Sequence, residues 1–249
     1  MKVGGRAQGA PDLAAQLAAA ARSAAGQLVV VHGGGDEVTA MQRLLGNEPQ
    51  FVGGRRVTTA ADMDVVRMVL SGTINKRIVR RLMDAGVAAV GLSGEDGGLL
   101  PALPLDGGAL GAVGEPLEAD VGALEALLAA GFVPVISPLG RHAGTGEGLN
   151  VNGDDAAAAI AAALSADELL LVVDVPGVLD QDGALLDLIT VDAVDHVIAS
   201  GTARGGMSAK LQAARRALAG GVASVRIGDA TAIAGLSVGT RITPAHTIA

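Results

Sequence analysis

The chain has 249 residues, 50% of them hydrophobic and only 1% aromatic, with no Trp and no Tyr; this suits one large α/β domain or two closely packed lobes with a core of Ala, Val, Leu and Ile. The net charge of −8 argues against a nucleic-acid partner, because a phosphate backbone demands a basic footprint. There is no cysteine, which excludes disulfides, zinc–thiolate sites and thiol catalysis, and no apolar run of roughly 18 residues offers a membrane span.

In chain order, Lys2-Val3-Gly4-Gly5 reads as a strand end running into a glycine turn. Pro11-Asp12 opens a helix over 11–25, which Gly26 follows. Leu28 to Val31 is a buried strand that delivers His32-Gly33-Gly34-Gly35 to a helix over 36–45. Helices are predicted over 61–71 and 75–85, then a strand over 87–92. Residues 93–117 are rich in Gly and Pro and suggest hairpins. A helix over 118–130 and a strand over 133–136 follow, and 137–153 reads as a mobile turn leading into a site loop. The remainder is a helix over 154–164, a strand over 169–173, helices over 191–200 and 207–219, and a strand over 223–227. Continuous β-branched runs fit strands covered on both faces, so the alternation implies a doubly wound, mainly parallel α/β sheet. A lobe boundary falls where the helix after Asp154 ends and a new strand begins, giving lobes 1–166 and 167–249.

Several clusters exceed what turns and caps require. His32-Gly33-Gly34-Gly35 joins a buried strand to a helix N-terminus, where backbone N–H groups and the helix dipole favour an anion. The same motif builds the oxyanion hole of some esterases, but the G-x-S-x-G elbow that would accompany it is missing. Lys2 beside its glycines suits a phosphate, although an exposed lysine in a frayed tail is the ordinary alternative. Gly53-Gly54-Arg55-Arg56-Val57-Thr58 offers guanidiniums for a carboxylate, or else a solvated basic loop. In Asn150-Val151-Asn152-Gly153-Asp154-Asp155 one residue caps the next helix; alternation puts Asn150 and Asn152 on one side, and Asp154 is suited to orient a lysine. Asp174-Val175-Pro176-Gly177-Val178-Leu179 is a strand end and turn able to shelve a nucleotide. Gly205-Gly206-Met207-Ser208-Ala209-Lys210 sets a lysine in the first turn of a helix, a phosphate site by simple electrostatics. Two lysines in glycine-rich settings suggest phosphoryl transfer. No Walker loop or protein-kinase signature is present.

These motifs in this order resemble the amino acid kinase family over almost the whole chain. Together with Gly72-Thr73-Ile74-Asn75-Lys76, the Arg56-Val57-Thr58 and Asn150-Val151-Asn152-x-Asp154 elements resemble the branch that acts on N-acetylglutamate. The resemblance implies an open, mainly parallel sheet in an α/β/α sandwich. It implies transfer of a phosphoryl group from ATP, with Mg²⁺ held mainly by phosphate oxygens, to the side-chain carboxylate of N-acetyl-L-glutamate, a step of arginine biosynthesis. Neither a tightly bound cofactor nor a metal held by protein ligands is implied. The N-terminal lobe would bind the amino acid and the C-terminal lobe ATP.

Carried over, Lys2 and Lys210 would neutralise the transferring group and Asp154 would hold both lysines. Gly5, Gly34 and Gly35 would donate N–H groups, and Arg56 and Asn150 would grip the α-carboxylate and α-nitrogen end. Asp174, Val175, Pro176, Gly177, Val178 and Leu179, with Thr202, Ala203, Arg204 and Met207, would shape the nucleotide pocket. The chain departs from the family in the short stretch before Lys2 and in Gly205, where Asp is frequent. The Gly-Gly-Arg-Arg turn is also similar to relatives acting on carrier-linked α-aminoadipate in lysine biosynthesis. That chemistry on an N-acyl α-aminoadipate is the nearest rival, and a catalytically silent nucleotide-binding regulator is the rival from another class. A cytoplasmic homodimer, insensitive to arginine for want of an N-terminal helix, is the expected assembly.

Overall fold

The computed structural model describes residues 1–235 and 237–244. The first half runs β1 (Lys2–Val3), α1 (Leu13–Ser23), β2 (Val30–His32), α2 (Gly35–Leu44), β3 (Phe51–Val52), β4 (Arg55–Arg56), α3 (Ala60–Arg67), α4 (Asn75–Asp84), β5 (Ala89–Ser93), β6 (Pro101–Pro104), β7 (Val113–Pro116) and α5 (Gly122–Ala129). The second runs β8 (Val133–Ser137), β9 (Leu139–His142), β10 (Gly148–Val151), α6 (Gly153–Ala163), β11 (Glu168–Val172), β12 (Leu188–Thr190), α7 (Val194–Ala199), α8 (Gly206–Ala219), β13 (Ser224–Gly228) and β14 (Thr240–Thr243).

The central sheet has eight strands in the order β12-β14-β13-β11-β1-β2-β8-β5. All its pairings are parallel except β13 with β14. Strand order reverses about β1, with β2 on one side and β11 on the other. Loops that leave the carboxyl ends of strands at such a reversal diverge and open a crevice, the usual ligand position in open α/β sheets. One core layer packs Val3, Leu17 and Val30 under α1 and the α3–α4 segment. The other packs Leu171, Ile227 and the alanines of α6 against Leu211, Ala213, Ala214 and Ala217 of α8. Alanine at these helix contacts lets the backbones approach closely without loss of side-chain entropy. Among the described residues no helix is long and apolar enough to cross a membrane.

The predicted strands and helices recur within a few residues, with four differences. The helices expected over 61–71 and 75–85 form one continuous path, because Met68–Ile74 winds as a π-helix between α3 and α4. The helix expected from 118 begins only at Gly122, whose N–H donates to the Asp120 side chain at 3.2 Å, so a side-chain turn precedes the first helical residue. The segment 137–153 is ordered as an antiparallel pair, β9 with β10, and these close a small barrel in the order β10-β7-β6-β9. Strands β3, β4, β12 and β14 were not anticipated; each is short, and β4 consists of two arginines.

Candidate functional site

The site is organised by the first turn of α6. Asn152 caps the helix, its side-chain oxygen accepting from the N–H groups of Asp154 at 2.8 Å and Asp155 at 3.3 Å. The cap therefore leaves both aspartate carboxylates free for other partners. Asp154 lies 2.9 Å from the Lys2 ammonium and 3.3 Å from that of Lys210. Burial opposes its charged form, but Lys2 and then Lys210 hold the carboxyl below its usual range. Lys2 is 6% exposed, so the frayed-tail alternative does not apply. It is fixed because β1 pairs with both β2 and β11 at the centre of the sheet.

Two glycine turns meet beside Lys2. A Cβ on Gly5 would stand 3.5 Å from Gly34, and one on Gly33 would stand 3.3 Å from the Gly5 nitrogen. Gly34 is closed in from the other side by Leu70 and Ile74, both in the π-helical segment. The first intrahelical bond of α2 runs from Val38 N–H to Gly34 O at 3.1 Å. The N–H groups of Gly34 and Gly35 precede it and so lie at the donor end of the helix. His32 is wholly buried, with Nδ1 donating to Gly33 O at 2.9 Å and Nε2 3.3 Å from the amide nitrogen of Asn75. Burial pushes its pKa down to about 4, so it is a neutral brace for the glycine turn.

A cleft of about 210 Å³ opens from this point and is lined by Lys2, Gly34, Gly35, Arg56, Asn150 and Asp154 among others. The turn Gly53-Gly54, with φ of 57° and 78°, folds β3 onto β4 and turns Arg56 inward. Its guanidinium donates to Gly35 O at 2.9 Å, to Thr39 Oγ1 at 2.8 Å and to Gln42 Oε1. These partners lie on one face of α2, and the Phe51 ring stacks 4.8 Å from the guanidinium carbon. Gln42 passes the contact on by donating to Asp62 at 2.6 Å. Asp62 in turn completes a reciprocal cap with Thr59 at the start of α3. Asn150, in the cleft lining, donates to the buried Thr58 Oγ1 at 3.0 Å.

The segments assigned to a nucleotide do not line this cleft. Asp174 is half-exposed beyond β11, with Arg6 at 3.5 Å. Val178 and Ala203 are buried in the core, so any contact they make to a ligand goes through their backbone. Gln181 joins the two loops through Ser200 O at 3.4 Å. Arg204 folds back on Gly201 O at 2.8 Å, and Met207 packs partly buried at the start of α8. Gln42, Thr39, Thr58, Asp155 and Arg216 also belong to the network and were not assigned roles from sequence, while Arg55, offered there as a guanidinium for a carboxylate, donates to Asp155 at 3.0 Å. Asp155 had one signal, as a second carboxylate in a helix turn that needs a single cap.

The family model for the amino acid kinase family matches residues 1–229. The chain belongs to the amino acid kinase family. Relatives in that family include an acetylglutamate kinase of Chloroflexus aurantiacus, 47% identical over 246 residues that span 98% of this chain and 95% of that protein. An acetylglutamate kinase of Cereibacter sphaeroides is 44% identical, spanning 92% and 79%. Among solved structures, smu.665 from Streptococcus mutans superposes with a TM-score of 0.87 at 34% identity, covering 97% of this chain and 96% of that one. Carbamate kinase from Giardia lamblia shares the fold, with a TM-score of 0.73 at 17% identity and coverage of 98% and 97%.

Proposed function

We propose that this chain is an acetylglutamate kinase, transferring the γ-phosphoryl group of ATP to the side-chain carboxylate of N-acetyl-L-glutamate in arginine biosynthesis. One observation carries the reading: Asp154, in the lining of a cleft that also presents Lys2, Arg56 and Asn150, holds Lys2 and Lys210, two lysines from opposite ends of the chain. The acid's side-chain carboxylate is ionised near neutral pH and needs no base. One of its oxygens attacks the γ-phosphorus. The new O–P bond forms as the bond to the β–γ bridging oxygen breaks, and that electron pair leaves with ADP. Lys2 and Lys210 offset charge on the transferring group from two sides, with Lys210 on the ADP side. Gly5, Gly34 and Gly35 donate N–H groups to phosphoryl oxygens and substrate, while Arg56 and Asn150 hold the α-carboxylate and α-nitrogen end.

Residues 1–166 form the acid-binding lobe and 167–249 the ATP lobe, with the nucleotide shelved on 174–179 and on Thr202, Ala203, Arg204 and Met207. Mg²⁺ fits this arrangement as part of the nucleotide: Asp154 and Asp155 are each engaged by two cations, which leaves phosphate oxygens as the metal's ligands. When bound, the metal shields the charge of the β- and γ-phosphates. A cytoplasmic homodimer belongs to the same reading. Gel filtration is expected to give a dimer unchanged by arginine, and an arginine-responsive hexamer counts against it.

The deciding assay traps the acyl phosphate as a hydroxamate and compares N-acetylglutamate, N-acetyl-α-aminoadipate and no acid. Turnover with N-acetylglutamate is expected to exceed the others. Preference for the longer acid moves the protein to lysine synthesis, and ATP binding without turnover makes it a regulator.

A further inference from the structure

We infer that Asp155 is a positioning residue that couples the acid cleft to the helix carrying Lys210, so that filling either substrate site tightens binding at the other. The inference rests on the acetylglutamate kinase reading. Asp155 is 5% exposed, and each of its oxygens faces a different arginine. Oδ2 accepts from Arg55 at 3.0 Å, and Oδ1 accepts from Arg216. Arg55 precedes Arg56 in β4, so one guanidinium of the hairpin faces α6 while its neighbour is held by α2. Arg216 lies on α8, the helix whose first turn carries Lys210.

Just after β4 the hairpin is tied by Thr58, whose N–H donates to Leu110 O at 3.0 Å and whose O accepts from Ala112 N–H at 2.7 Å, but the two strands themselves are lightly packed. They form a separate two-stranded sheet, and Phe51 and Val52 are 53% and 59% exposed. Such a ribbon is marginal alone and takes its position from its anchors. The anchors supplied by the side chains of β4 are Arg56 on α2 and Arg55 on Asp155, and of the two only Arg55 reaches α6. The second aspartate therefore does for the hairpin and α8 what Asp154 does for Lys2 and Lys210. Because Asp154 and Asp155 share one helical turn, moving the hairpin pulls on the same rigid element that positions Lys210. Asn152 already caps α6, so the cap does not explain a second buried acid there. A buried ion cluster is a poor source of stability, since desolvating the charges cancels much of their attraction.

Coupling between two binding sites is reciprocal, and calorimetry can measure it. The full chain is titrated with N-acetylglutamate in the presence and absence of saturating Mg²⁺ and the non-hydrolysable analogue AMP-PNP, and then in the opposite order. In the wild type each ligand is expected to lower the other's Kd by about fivefold or more. In Asp155→Asn each ligand still binds alone, and this factor falls to near unity. Arg216→Gln leaves the Arg55–Asp155 contact intact and alters a half-exposed side chain; it loses most of the factor, which secures the test if Asp155→Asn folds poorly. A wild type without coupling overturns the inference, as do variants that keep the wild-type factor. Failure of the wild type to bind N-acetylglutamate at all overturns the function reading, and this inference with it.

Discussion

Lys2 Nζ and Asp154 Oδ1 stand 2.9 Å apart with both side chains under 9% exposed, and the other oxygen of that carboxylate faces Lys210 at 3.3 Å. Two like charges are thereby gathered where a polyphosphate can use them, with one buried anion offsetting their repulsion. Asp154→Asn keeps the shape and removes the charge. We expect kcat to fall by about 10²–10³-fold, the range for losing one preorganised electrostatic group, with smaller changes in either KM. Steady-state kinetics decide this, and a kcat within twofold of wild type refutes the arrangement.

Gln42 links Arg56 to Asp62, with an apolar replacement of similar volume available in Gln42→Met. The loss removes two hydrogen bonds to charged groups, one from Arg56 and one to Asp62, each a contact usually worth about 1.5–3 kcal/mol. KM for the acid is expected to rise by about tenfold or more, while kcat and KM for ATP stay within a few-fold. Equal changes in both KM values point instead to a general loss of structure.

His32 sets a pH limit on stability. Its folded pKa is lowered to about 4 by burial, against about 6.5 for an unfolded chain. The unfolded state therefore takes up a proton first as pH falls. The stability owed to this group is full above about 6.5 and is lost toward pH 4, by at most about 3 kcal/mol. Chemical denaturation between pH 7 and pH 5, two ordinary buffer conditions, is expected to show the decline at roughly the His32 titration of the unfolded chain. His32→Gln starts less stable and has a shallower slope there. A slope unchanged by the substitution assigns the decline elsewhere.

Gly34 is filled in by its neighbours and Gly35 is not. A methyl at Gly34 runs into Leu70 and Ile74, whereas one at Gly35 meets nothing within 4 Å. Gly34→Ala is expected to cost about 1–3 kcal/mol through overpacking and to lower Tm by several degrees. Gly35→Ala leaves Tm close to wild type. Thermal melts of the pair test this directly, and equal melting temperatures contradict the packing argument.

Much of the fold was legible because the strands at 28–31, 133–136 and 169–173 are continuous apolar runs buried on both faces. Thr240 to Thr243 carries no such run, and two-residue strands such as Arg55–Arg56 are too short to show a period. Lys2, Asp154 and Lys210 stood out because glycines and polar residues gather around them, and the fold brings the three together. Gln42 and Arg216 gave no such signal: each sits on a helix where a solvated polar side chain is the ordinary outcome. Their partners lie 14 and 61 residues away in the chain, and only the fold makes them neighbours.

The stacking of Phe51 on Arg56 has a practical use, because this chain contains neither Trp nor Tyr. The native protein is almost dark in near-ultraviolet emission. Phe51→Trp would place a lone fluorophore on the hairpin at the mouth of the cleft, against a silent background. Its colour and intensity would follow the hairpin alone, so stopped-flow mixing with acid or nucleotide would time that one movement without a label.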